Sequence, residues 1–124
     1  MSNQNRAVII KTFEQLNKAE LYEIIQLRIA VFIIEQDCPY QDLDGMDDQG
    51  LHMWIEEDGE IVSYLRINPA ATRFTEPSLG RIVTKMTYRN KGLGEILINK
   101  AIEEVCKAEP TAIRISAQSY LENY

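Results

Sequence analysis

The chain lacks the features that mark several functional classes. It has two cysteines, Cys38 and Cys106, far apart and outside any C-x-x-C spacing, so neither a metal knuckle nor a disulfide framework is indicated. Without a secretory apolar segment near residue 1, the expected location is a reducing cytoplasm. No apolar run approaches the roughly 18 to 20 residues that span a bilayer, which predicts a soluble protein with no membrane partner. Basic residues are in deficit. Thirteen Lys and Arg against 19 Asp and Glu give a formal charge of −6, which argues against a general nucleic-acid binder. Internal repeats and low-complexity tracts are absent as well.

What is present is a chain of 124 residues with 45% hydrophobic content, expected to form one domain over residues 1–124. Residues 6–13 carry the β-branched run Val8-Ile9-Ile10 and read as a first strand. Asn17 followed by Glu20 has the form of a capping box, and Leu21, Ile24, Ile25, Val31 and Phe32 then recur near helical spacing, predicting a helix from residue 18 to about 32. The Asp-rich stretch 35–50 has neither period and reads as an irregular loop. Residues 51–57 and 60–68 flank Asp58-Gly59, a tight-turn dipeptide, and form a hairpin. A strand over residues 79 to about 85 precedes a helix with Leu93, Ile96, Leu97, Ala101, Ile102 and Val105 on one stripe and an expected Glu103–Lys107 pair. A last strand is expected over residues 112–117. The order strand, helix, hairpin, strand, helix, strand indicates a mixed α/β sheet flanked by helices.

Chemistry concentrates in Arg89-Asn90-Lys91-Gly92-Leu93-Gly94, which joins the strand at 79–85 to the second helix. A helix start exposes unpaired N–H groups and the positive end of the helix dipole, so phosphate oxygens are stabilised there when side chains allow approach. Gly92 and Gly94 clear that approach, and Arg89 and Lys91 place two cations at the rim. Other nucleotide motifs fit poorly: there is no G-x-x-x-x-G-K-[ST], and the third glycine of a dinucleotide fingerprint is missing.

The segment is similar to the R/Q-x-x-G-x-G/A pyrophosphate motif of the GNAT N-acetyltransferases, with Arg89, Gly92 and Gly94 in the defining positions. Gly80-Arg81-Ile82-Val83-Thr84 and Leu97-Ile98-Asn99-Lys100-Ala101 resemble that family's fourth strand and third helix. Upstream, Arg28, Val31-Phe32-Ile33-Ile34-Glu35-Gln36, Cys38-Pro39-Tyr40, Asp42, Asp44-Gly45 and His52 resemble its ElaA-type branch. The resemblance implies the acyl-CoA N-acyltransferase fold and acetyl-CoA as donor. It sets the pyrophosphate on the backbone amides of Arg89, Asn90, Lys91, Gly92, Leu93 and Gly94, and the pantetheine arm along the edge of Ile82, Val83 and Thr84. It also implies direct attack on the thioester by a primary amine, either a small molecule or an N-terminal or lysine amine, with a base, an oxyanion donor and an acid for the leaving thiolate.

Similar proteins continue into a helix bearing a tyrosine acid and two further strands, whereas this chain stops at Tyr124, so the domain is expected to be incomplete at its C-terminus. A non-catalytic domain binding coenzyme A or a partner is the alternative to an active enzyme, and a homodimer covering an open strand edge is a further expectation. Glu35, His52 and Tyr40 are the candidate catalytic residues, although each type also serves as a packed or hydrogen-bonded side chain. Asp37, Asp42, Asp44, Asp47 and Asp48 would attract a cationic amine, but a charge run also reads as a solvated loop, the reading preferred. No metal is expected, since a calcium loop starting at Asp42 would need a glutamate where Met53 stands. A thiol mechanism through Cys38 and His52 is rejected, as nothing in the sequence places them together.

Overall fold

The computed structural model describes residues 7–35, 42–71, 76–107 and 112–115. Strand β1 (Val8–Thr12) enters a 3-10 turn, Phe13–Gln15, which Thr12 and Gln15 close as a capping box. Helix α1 (Lys18–Arg28) starts where expected. Asn17 Oδ1 accepts from the Glu20 N–H at 2.7 Å, and the Glu20 carboxylate accepts from the Asn17 N–H at 3.0 Å. The α-helical bonding stops at Arg28 rather than near residue 32. Residues Ile29–Glu35 continue as a π-helical segment, a wider winding often found at functional sites.

Strands β2 (Leu51–Glu57) and β3 (Glu60–Asn68) form the expected hairpin, with Asp58 (φ 55°) and Gly59 (φ 75°) both in the left-handed region that a type I′ turn requires. Strand β4 (Ser78–Thr84) leads through a 3-10 turn, Met86–Tyr88, into helix α2 (Leu93–Val105), and β5 (Arg114–Ile115) follows. The sheet order is β1-β2-β3-β4-β5, antiparallel throughout except for the parallel β4–β5 pair, so α2 is a crossover connection.

Each face of the sheet packs against one helix. Met53, Ile55, Leu65, Leu79 and Ile82 meet Leu93, Leu97 and Ala101 of α2, while Trp54, Ile61, Tyr64 and Val83 meet Ile24, Leu27, Val31 and Phe32 on the α1 side. Burial on both faces explains why β3 reads as a nearly continuous apolar run. On the outer surface of α2 the ion pairs are Lys100–Glu103 and Lys107–Glu104, not the expected Glu103–Lys107 pair.

The β3–β4 ladder contains one irregularity. Arg66 pairs with Gly80 and Tyr64 with Val83, so Arg81 and Ile82 together oppose Leu65 in a β-bulge. Arg81 takes φ 53° there, a region that non-glycine residues rarely occupy. At the mouth of β2, Gly50 lies under the stem of Arg66: a Cβ at this position would sit 2.8 Å from Arg66 Cγ and 3.0 Å from Cδ. Gly50→Ala is therefore expected to lower stability by about 1–3 kcal/mol, the usual cost of overpacking. Urea unfolding checks this, and an unchanged midpoint would contradict the packing described.

Candidate functional site: a helix-start cradle and a buried arginine–aspartate network

Strand β4 delivers the chain to the start of α2, where Asn90 (φ 65°) and Gly92 (φ 74°) both enter the left-handed region. Gly92 is the N-cap of α2 and no side chain caps the helix. The first bond across this end runs from the Ile96 N–H to the Gly92 carbonyl at 3.0 Å, so the Leu93, Gly94 and Glu95 N–H groups belong to the open first turn. Leu93 is 2% exposed and anchors the turn in the core. A Cβ at Gly92 would meet nothing within 4 Å, so the space before the helix is open. Backbone dipoles at such an open helix start suit an anion.

The two cations expected at its rim are placed differently. Lys91 Nζ lies 5.3 Å from the centre of the Tyr88 ring. Arg89 turns towards the end of the π-helical segment, where its Nη1 and Nη2 donate to the two Glu35 oxygens at 2.5 and 2.8 Å, and its Nε donates to the Thr84 carbonyl at 3.0 Å. The Arg89 N–H bonds to the Met86 carbonyl at 3.4 Å, so this amide is already paired within the chain. A candidate catalytic residue and a candidate cofactor residue thus meet each other. The hydrogen bonds and charge of Arg89 hold the Glu35 carboxyl below its ordinary range against the opposing effect of burial. Of the strand residues, Ile82 and Val83 bury their side chains on opposite faces, and Thr84 Oγ1 lies 2.9 Å from Ser63 Oγ. Their ladder partners are on β3; the described β4–β5 register covers only Ser78↔Arg114 and Leu79↔Ile115.

Within the Asp-rich loop Asp48 is exposed, as a solvated loop would have it, but Asp42, Asp44 and Asp47 are held in ion pairs. Arg28 of α1, Arg66 of β3 and Arg81 of β4, each at most 6% exposed, converge on Asp42, Asp44 and Asp47. Arg28 pairs through Nε with Asp42 (2.9 Å) and donates through Nη1 to Asp47 (2.8 Å) and through Nη2 to the Asp42 carbonyl (3.0 Å). Arg66 grips Asp44 with both Nη atoms, at 3.0 and 2.8 Å, and donates to Asp47 at 2.8 Å. Arg81 pairs through Nε with Asp42 (3.0 Å) and donates through Nη2 to the Asp42 carbonyl (3.0 Å) and to Asp44 (3.3 Å). Among the described residues, three cations thus face three anions.

Burial would raise the Asp44 carboxyl, but the hydrogen bonds from Arg66 and the Met46 N–H, with the charges of Arg66 and Arg81, bring it well below the usual range; Arg28 and Arg66 do the same for Asp47. The sequence signal for this network was an arginine inside each of three apolar segments, facing an acidic loop.

His52 lies on the same face, fully buried. Its Nε2 is 2.9 Å from the Asp47 carbonyl, which only accepts, so Nε2 carries the proton and Nδ1 accepts from the Tyr64 hydroxyl at 2.6 Å. Burial depresses its pKa and keeps the ring neutral. Tyr40 lies outside the described residues, as do Cys38 and Asp37.

A parallel β4–β5 pair whose first strand runs into an uncapped, glycine-started helix is the frame of an acyl-CoA N-acyltransferase fold. Residues 18–123 match the acetyltransferase (GNAT) family, and the chain belongs to it. It is of the ElaA type. Protein ElaA of Escherichia coli is 34% identical over 113 residues, covering 89% of this chain and 74% of ElaA. The crystal structure of Escherichia coli ElaA matches with a TM-score of 0.85 at 30% identity, over 95% of this chain and 82% of that one. That of an acyl-CoA N-acyltransferase from Pseudomonas aeruginosa matches with a TM-score of 0.85 at 32% identity, over 97% and 84%. A protein described as a predicted acetyltransferase from Clostridium acetobutylicum, solved with acetyl-CoA, shares the fold at a TM-score of 0.67 and 15% identity, over 93% and 82%. The chain is an acyltransferase. Among the described residues, no helix is long and apolar enough to cross a membrane.

The shifted groups fix how stability responds to acid. Unfolded His52 takes up a proton below about pH 6.5 that the buried ring resists, so stability declines from there. Asp44 and Asp47, depressed in the folded state, contribute stability above about pH 4 that is lost as pH falls through their folded values. Because His52 is the single histidine, His52→Gln should remove the decline between about pH 6.5 and 5 and leave the steeper one below pH 4. Urea midpoints against pH test this, and a decline in the variant that matches the wild type would contradict it.

Proposed function

We propose that the chain binds acetyl-CoA with its pyrophosphate on the amides of Asn90, Lys91, Gly92, Leu93 and Gly94 and transfers the acetyl group to a primary amine. One observation carries the reading: the open, uncapped start of α2, with Gly92 in the left-handed region and clear space before it. Strand β4 runs straight into this cradle, so a pantetheine arm leaving it meets Thr84, Val83 and Ile82 in turn and reaches the β-bulge at Arg81 with its thioester. The backbone of an extended strand suits the amides of that arm as a neighbouring strand would.

In the reaction the amine nitrogen bonds to the thioester carbon, the C–S bond breaks, and the sulfur leaves as thiolate to take up a proton, while the new amide nitrogen gives one up. A donor laid out this way puts Glu35 beside the pyrophosphate end. There its bidentate pair with Arg89, which also bonds the Thr84 carbonyl, braces the cradle against the end of β4. His52, packed between Tyr64 and the Asp47 carbonyl, supports the acidic loop. Of the three candidate catalytic residues this leaves Tyr40, and a Tyr40→Phe variant that loses turnover while keeping donor affinity would support a catalytic role.

Titration calorimetry with acetyl-CoA, paired with a thiol-release assay over a panel of primary amines, tests the reading as a whole. Binding with amine-dependent thiol release is expected; binding without release from any amine sinks the catalytic part, and absence of binding sinks the whole. Substitution of Gly92 locates the site. Gly92→Glu places a carboxylate where a phosphate must sit and should abolish measurable binding. Gly92→Ala adds a methyl group into open space, and should cost only about 1–2 kcal/mol of stability for its positive φ. Equal affinities for Gly92→Glu and the wild type would count against the cradle.

A further inference from the structure

The structure assigns Arg81 as the positioning residue that holds the β4 bulge, and with it the donor-binding edge of the strand, against the acidic loop. The assignment rests on the proposed donor site and adds to it a residue that does not touch the reacting atoms.

Arg81 has three features that rarely coincide. It is the inserted residue of the bulge, sharing Leu65 as partner with Ile82. Its φ of 53° belongs to a conformation that such bulges ordinarily give to glycine, and glycine is available one position earlier, at Gly80. Its side chain is buried, pairing with Asp42 through Nε at 3.0 Å and reaching the Asp42 carbonyl and Asp44 through Nη2.

A strained backbone persists only where the surroundings over-determine it, and here they do so through the side chain. Asp42 and Asp44 are themselves fixed from two other directions. Arg28 of α1 holds the Asp42 carboxylate and carbonyl, and Arg66 of β3 forks onto Asp44. The guanidinium of Arg81 is therefore tied to an anchor fastened to the rest of the fold, and the bulge cannot relax into regular pairing without pulling that guanidinium away.

The bulge matters because of what lies on either side of it. Before it, β4 is in register with β5 at Ser78↔Arg114 and Leu79↔Ile115. After it come Ile82, Val83 and Thr84 and then the cradle, where Arg89 bonds the Thr84 carbonyl. A bulge bends its strand and increases the local twist. The bend at Arg81 thus sets the direction in which the edge of residues 82–84 is presented. A side chain on the acidic-loop side of the sheet thereby controls the alignment of a donor on the other side of β4.

Three forms of the full chain test this: Arg81→Gly, Arg81→Lys and Ile10→Ala. Glycine takes the positive φ freely, so Arg81→Gly removes the anchor without adding backbone strain. Lysine keeps the charge but lacks the fork that reaches two carboxylates and a carbonyl. Ile10→Ala, in β1, trims the core at a distance from the bulge and controls for stability.

The expected result is a KM for acetyl-CoA raised about tenfold or more in Arg81→Gly, a smaller rise in Arg81→Lys, and an acceptor KM unchanged in both. Ile10→Ala should change neither KM by more than about twofold. If Arg81→Gly does not fold, Arg81→Lys carries the same comparison. Donor KM values equal to wild type in the folded variants would overturn the assignment.

Hydrogen exchange supplies an arm independent of any donor. The amides of Ile82, Val83 and Thr84 should exchange faster in the Arg81 variants relative to those of β1, and unchanged exchange there would also overturn the assignment. A wild type that fails to bind acetyl-CoA would refute the donor site alone, and the exchange arm would still decide the role of Arg81.

Discussion

The rest of the structure depends on the convergence of Arg28, Arg66 and Arg81 on Asp42, Asp44 and Asp47. A loop rich in aspartate has few apolar residues with which to offset the entropy of ordering it, and its Leu43 is exposed, so another interaction must hold it. Here α1, β3 and β4 each contribute one guanidinium, and His52 of β2 adds a hydrogen bond to the Asp47 carbonyl. Bringing six charges out of water is expensive, and an apolar replacement of the whole set could be equally stable. Removal of one member is a different matter, because the opposing charge is left buried without its partner, at about 3–5 kcal/mol. The network is better understood as a device that specifies one arrangement of loop, helix and strand than as a source of net stability.

The proposed donor side of the molecule is braced in a similar way but with fewer parts. Arg89 links three elements through one guanidinium: the π-helical segment through Glu35, the end of β4 through the Thr84 carbonyl, and the cradle through its own place in the chain. In the proposed donor site the groups offered to phosphate include backbone amides of a helix whose second residue from the cap, Gly94, is buried, and whose first, Leu93, is fixed in the core. Sites carried by rigid elements keep their geometry better than sites on free loops. At an open helix start the backbone dipoles themselves favour phosphate, so the proposed site does not depend on rim cations alone.

Local rules explain the parts of the fold that could be read in advance. The Asn17–Glu20 box, the Asp58-Gly59 turn, the apolar stripe of α2 and the glycine turn before it all depend on residues a few positions apart, where geometry follows from the chain itself. The ionic partners could not be read this way. Arg89 and Glu35 are 54 residues apart and Arg81 and Asp42 are 39 apart, so only the folded sheet brings them together. Arg81 also defied the local rule for positive φ, which would have pointed to Gly80, because its side chain is held by tertiary contacts. The pairing of Asp42, Asp44 and Asp47 was hidden for the same reason: nothing within residues 35–50 shows that three arginines elsewhere wait for them. The change from α to π winding at Ile29 likewise had no local marker, since Ile29 to Glu35 are ordinary helix-compatible residues.

The central claim is that one continuous surface, from the edge of β4 to the start of α2, receives the acyl donor. Backbone amide NMR shifts during titration with acetyl-CoA test it most directly. The account predicts the largest changes at Asn90, Lys91, Gly92, Leu93 and Gly94, accompanied by changes at Ile82, Val83 and Thr84, and small changes in β1 and the β2–β3 turn. Saturating shifts confined to other elements, with these residues unmoved, would contradict it.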